Sequence, residues 1–117
     1  MRLKGTAAVL VVAAGSVVLA AFSSGTKVTL ATKPPSTVRA GTTWTAFVDI
    51  SRAGRRLDGF RPVIEIQDSR GRERFSGTQV GPGVYRIRVV FPRLGRWEYR
   101  VKAGTAVMRG GLRVVPR

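Results

Sequence analysis

The sequence predicts an all-β protein, an immunoglobulin-like antiparallel β-sandwich of about seven short strands preceded by an N-terminal hydrophobic helix. Three observations carry this expectation. Beyond residue 25, apolar and polar residues alternate at the period of a half-buried strand, and no stretch shows the helical period. Turn signals built from Gly, Pro, Asp and Ser recur about every eight to twelve residues. The chain past residue 20 is roughly 97 residues long, the usual size of one such sandwich.

The clearest stretch is 81–103, GPGVYRIRVVFPRLGRWEYRVKA. Tyr85, Ile87, Val89 and Phe91 alternate with Arg86, Arg88 and Val90. Trp97, Tyr99, Val101 and Ala103 alternate with Arg96, Glu98, Arg100 and Lys102. Pro92-Arg93-Leu94-Gly95 joins the two runs as a short loop, so the segment reads as a β-hairpin with one wet face per strand. A lone hairpin cannot cover its own apolar faces, so further strands must pack on it.

Those strands can be placed in order. Thr26–Thr32 alternates Val28 and Leu30 with Lys27 and Thr29, and Pro34-Pro35 ends it because proline removes ladder donors. Thr43–Ser51 puts Trp44, Ala46, Val48 and Ile50 on one face. Arg52–Gly59 is polar, holds two glycines and reads as a loop. Pro62–Gln67 directs Ile64 and Ile66 inward and Glu65 outward, and Asp68-Ser69-Arg70-Gly71 has β-turn preferences. Arg72–Gln79 is expected as a short edge strand around Phe75, blunted by charge. Gly104 breaks the chain, and Thr105–Met108 and Leu112–Val115 are expected as two short strands around a bulge or kink at Gly110-Gly111. With no cysteine there is no disulfide, so the core must rest on Trp44, Trp97, Tyr99, Phe91 and the Ile/Val set. Gly83 and Gly95 serve as turn residues. Tyr85, at the start of a late strand, is expected to bond its hydroxyl to upstream backbone.

Ahead of this domain (26–117), residues 1–22 combine Arg2 and Lys4 with the apolar run TAAVLVVAAGSVVLAAF. This is the pattern of a signal peptide, with cleavage after Ala20 or Ala21, or of an uncleaved membrane anchor. Either way the remainder is expected outside the cytoplasm, secreted or held at the outer side of the cytoplasmic membrane.

Composition narrows function. The chain has no His and no Cys, which removes the near-neutral proton shuttle, the thiolate nucleophile and the commonest metal ligands. Asp49, Asp58, Glu65, Asp68, Glu73 and Glu98 are the only carboxylates, and none forms a recognisable catalytic pair. No enzyme, cofactor or metal site is expected. The net charge is +15, and Arg86, Arg88, Arg96, Arg100 and Lys102 all point away from the expected core, while Arg52, Arg55 and Arg56 crowd one loop. These form a candidate surface for an anionic polymer, lipid headgroups or an acidic envelope protein; the plain alternative is a solvated cationic surface. Nucleic acid is disfavoured by export and by the absence of a helix for the major groove.

The segments RAGTTWTAFVDISRAGRRLDG, PVIEIQDSRG and GPGVYRIRVVFPRLGRWEYRVKAG together resemble the YtkA-like (FixH-like) extracytoplasmic domain family. The resemblance spans about residues 26–115 and rests on turn glycines and core aromatics. It implies an immunoglobulin-like sandwich outside the cytoplasmic membrane. Some members are linked to copper handling or to assembly of respiratory complexes through Met and His. Here Met108 is the sole Met beyond the leader, so the resemblance implies the fold and not the metal. The resulting expectation is a non-catalytic module that binds a partner or supports structure in the cell envelope. Metal handling, respiratory-complex assembly and electrostatic docking are the alternatives.

Overall fold

A computed structural model of the chain describes residues 25–117, and the leader expected over 1–22 lies outside the described residues. Nine strands follow in order: β1 (Lys27–Leu30), β2 (Thr37–Arg39), β3 (Thr43–Arg52), β4 (Arg55–Arg56), β5 (Val63–Asp68), β6 (Gly71–Gly81), β7 (Val84–Val90), β8 (Gly95–Ala103) and β9 (Ala106–Val115). The described residues contain no helix. Hydrogen bonding runs β1-β3-β7-β6-β5-β8-β9-β2, with β4 on the side of β3. The pairs are antiparallel except β9 with β2.

The sheet curls because β6 serves both sides of it. Its first part, Gly71 to Ser76, pairs with β5, and the remainder pairs with β7. At the changeover the Gly77 N–H donates to the Pro62 carbonyl. One half therefore holds β1, β3, β4, β7 and the end of β6, and the other holds β5, β8, β9, β2 and the start of β6. The two halves close on each other like a sandwich. From the first half come Trp44, Ala46, Val48 and Ile50 of β3 and Tyr85, Ile87 and Val89 of β7, all buried. From the second come Ile64, Ile66, Trp97, Tyr99, Val101, Leu112 and Val114. Each such large side chain contributes about 1.5–3 kcal/mol on leaving water, which is what holds a domain without disulfides together.

Several expectations are corrected. The 81–103 hairpin is an arch: β7 pairs with β3 and β6, β8 pairs with β5 and β9, and the two do not pair with each other. Residues 91–94 carry the chain across the core, so the two apolar faces meet instead of lying side by side. Phe91 meets Trp97 edge-on at 5.5 Å, and Trp44 lies 6.4 Å from Phe91 and 5.1 Å from Tyr99. Such aromatic pairs add to simple area burial. Arg93 fixes the crossing: its carbonyl accepts the Trp97 indole N–H at 3.0 Å, and its guanidinium lies 5.2 Å from the Trp97 ring. Alternation is identical in a hairpin and an arch, and the aromatic contacts favour the arch.

The two strands expected around Gly110-Gly111 are one unbroken strand, β9, whose register against β8 runs without a bulge. Gly110 lies opposite Tyr99, and a Cβ there would collide with the Tyr99 ring. The glycine makes room for an aromatic across the ladder rather than kinking the strand. β6 is an eleven-residue strand, not a short one, though each part of it pairs on one side only. The expected 52–59 loop contains β4, and β2 forms after Pro34-Pro35 where no strand was expected. These elements bring the total among the described residues to nine strands instead of about seven.

The Tyr85 expectation holds. Its ring is fully buried; its hydroxyl donates to the Leu57 carbonyl at 2.8 Å and accepts the Phe60 N–H at 3.1 Å. The same corner uses Gly83, at φ 65°, where a Cβ would sit 2.6 Å from that of Arg56. The Gly83 N–H donates to Asp58 Oδ1 at 2.9 Å.

Candidate anion-binding face

The outer face of the second half carries one group of basic residues. Alternation along β8 buries Trp97, Tyr99 and Val101 and turns Arg96, Glu98, Arg100 and Lys102 outward. On β9 the same alternation turns Arg109, Gly111 and Arg113 outward. Register then sets the neighbours. Arg100 lies opposite Arg109 on one side and Glu65 on the other, and Glu65 lies opposite Arg74. Arg96 lies opposite Arg113, and Glu98 opposite Gly111 and Gln67. Arg72 of β6 and Arg39 of β2 extend the face at its two edges.

Glu65 was expected to face water. It does leave the core, but it is 6% exposed, covered by its cationic neighbours. Its Oε1 lies 3.4 Å from Lys102 Nζ and 3.8 Å from Arg100 Nη1. Among the described residues Arg96, Arg109 and Arg113 form no ion pair. Because Gly111 has no side chain, a hollow of about 400 Å³ opens over it, bordered by Arg96, Glu98, Arg100 and Arg109.

The eight basic residues singled out from the sequence do not form one patch. Arg96, Arg100 and Lys102 lie on this face. Arg86 and Arg88 lie on the outer face of the opposite half, across from Phe47 and Thr45. Arg52, Arg55 and Arg56 gather at the β3–β4 end. There Arg52 donates to the Thr26 hydroxyl at 2.9 Å and Arg56 to the Pro82 carbonyl at 3.1 Å. The separation follows from the arch, which sends β7 and β8 into different halves. Arg109 and Arg113 were missed, although carrying the period-2 reading through MRGGLRVV would have placed both outward.

The most strongly held carboxylate is committed to structure. Asp68 receives Arg93 Nε at 2.9 Å and Nη2 at 2.8 Å, and its Oδ1 accepts the N–H groups of Arg70 and Gly71, both at 2.9 Å. The Arg93 hydrogen bonds hold the Asp68 carboxyl well below the usual carboxylate range, and in return raise Arg93. Burial pushes the Tyr99 phenol up. Met108 is half-buried against the core. The arrangement offers fixed positive charge and hydrogen-bond donors, the equipment for holding an anion.

No family model matches the chain, and no curated protein matches it. Solved structures do. The Lin-41 filamin domain superposes with a TM-score of 0.66 at 8% identity, over 77% of this chain and 93% of that one. An α2-macroglobulin from Salmonella matches with a TM-score of 0.62 at 17% identity, over 80% of this chain and 6% of its own. Domains 4 and 5 of the S-layer protein SbsC match at 0.55 and 16% identity, over 75% of this chain and 50% of that one. The chain thus spans a small part of some of its matches and nearly all of the filamin domain. At these identities the likeness is one of fold: the protein is an immunoglobulin-like β-sandwich.

Proposed function

We propose that this protein is a non-catalytic binding module of the cell envelope that docks onto an anionic polymer through the outer face of its β5-β8-β9 half. The observation that carries the reading is the meeting of Arg96, Arg100, Arg109 and Arg113 on adjacent strands, with three of the four free of ion pairs among the described residues. A fixed cationic face of this kind attracts polyanions and holds them in a salt-dependent way. Export rests on the N-terminal leader pattern and on the YtkA-like resemblance. A binding role in place of catalysis is supported by a chain without His or Cys and by the commitment of Asp68 to Arg93.

The test is retention of the purified protein on immobilised polyphosphate under a salt gradient. Arg109→Gln/Arg113→Gln should elute at clearly lower salt than the parent protein. Arg86→Gln/Arg88→Gln, with the same charge removed from the opposite half, should elute close to the parent. Equal shifts for the two variants would show that net charge, not this face, makes the contact.

A further inference from the structure

The cationic face contains an arrangement that a merely solvated surface would not favour. Directly opposite residues on antiparallel strands have their Cβ atoms about 4.5–5.5 Å apart, and like charges so placed repel each other. β8 and β9 hold two such pairs, Arg100 with Arg109 and Arg96 with Arg113. The pairs are four residues apart along each strand, about 13–14 Å at the usual strand rise. Between them lies the row of Glu98 and Gly111, and the missing side chain at Gly111 leaves open a hollow bordered by Arg96, Arg100 and Arg109, with Arg113 outside it. Glu65 tethers Arg100 from the far side at 3.8 Å but does not reach across to Arg109, which has no ion pair among the described residues.

We infer that the hollow over Gly111 is a binding site for a chain of phosphate groups, with the facing pair Arg100–Arg109 gripping one phosphate and Arg96 another, the latter backed by its register partner Arg113 from outside the hollow. This rests on the proposed docking role of the face and specifies its ligand. A facing arginine pair presents two planar forks to one anion. A tetrahedral phosphate has oxygens enough to accept both forks, whereas a planar carboxylate accommodates one fork in its plane. Two grips set apart along the strands suit a polymer with repeated phosphates better than a single ion. Glu98, in the row between the pairs, opposes any anion that crosses it, so the grip must come from the arginines on its flanks. The repulsion within each pair is relieved when the phosphate arrives, so binding should also stabilise the fold.

The test measures binding of long-chain inorganic polyphosphate to the purified protein by titration calorimetry at about 0.15 M salt, with polyglutamate as the carboxylate polymer. Gly111→Leu separates the hollow from its charge. The position has no left-handed φ, and an added Cβ would meet the Trp97 carbonyl oxygen at 3.5 Å, an ordinary contact. The variant should keep its melting temperature and lose at least tenfold in affinity. Arg109→Gln/Arg113→Gln should lose at least as much, and Arg72→Gln/Arg74→Gln, on the same face outside the hollow, less than threefold. If Gly111→Leu binds like the parent while both arginine variants weaken equally, the hollow is not a site and the face acts as diffuse charge. That result would overturn this inference and leave the docking role standing. Equal affinity for polyglutamate would overturn the choice of phosphate, and no polyphosphate binding by the parent protein would overturn both readings.

Discussion

Tyr85→Phe removes one oxygen from the middle of the structure and leaves a ring of the same shape. That oxygen donates to the Leu57 carbonyl at 2.8 Å and accepts the Phe60 N–H at 3.1 Å, so the substitution deprives two backbone groups of their partner. The ring is fully buried and keeps its packing, so almost no cavity forms. Each abandoned group costs about 1–3 kcal/mol if it stays dry. Leu57 and Phe60 are only half-buried, so water recovers part of that cost and the expected loss is about 2 kcal/mol. For a domain of this size 1 kcal/mol moves the melting temperature by about 4–8 °C, giving a drop of about 8–16 °C. Thermal unfolding followed by circular dichroism reads the global loss. Hydrogen exchange at the Phe60 amide reads the local one, and should quicken more than exchange at Val101 in the core. A melting temperature within about 2 °C of the parent, with Phe60 exchange unchanged, would refute the idea that this hydroxyl ties the 57–60 loop to β7.

Gly110→Ala should destabilise by about 1–2 kcal/mol, the cost of overpacking against the Tyr99 ring less the entropy gained by replacing glycine in a strand. It should appear as a lower urea midpoint at unchanged slope, and a neutral result would mean that the Tyr99 ring can move aside freely. Asp68→Asn should lower stability at neutral pH, and the gap to the parent should narrow as the solution is acidified. The folded carboxyl is held below its ordinary value by Arg93 and by two backbone N–H groups, while the unfolded one titrates near about 3.9. Its contribution is therefore present above about pH 4 and is lost as pH falls through the lowered folded value. Melting temperatures from pH 2 to 7 should show this convergence, and a gap that stays constant across the range would count against the Asp68–Arg93 clamp.

Much of the interior was legible in the order of residues. Alternation placed Trp44, Ala46, Val48 and Ile50 inward on β3, and Ile87, Val89, Trp97 and Tyr99 inward on β7 and β8, all as found. The position of Tyr85 beside Gly83 pointed to a hydroxyl bonded to upstream backbone. These features are local, because the period of a strand settles which side chains share a face. Partner choice is a different matter, since the same alternation serves a strand whichever neighbour it pairs with. β7 and β8, joined by four residues, went to opposite halves because their aromatics meet across the core. β2 found β9 from far along the chain, and β9 stayed whole because Tyr99 fills the space above Gly110. The candidate site was the least legible part for the same reason. Arg86 and Arg100 looked alike in sequence, yet only Arg100 stands beside Arg109, and Glu65 is covered because register sets Arg74 and Arg100 on either side of it. The amino-acid sequence by itself determined which residues turn inward. Which charged residues became neighbours was decided by strand pairing in three dimensions, since that depends on contacts between segments far apart along the chain.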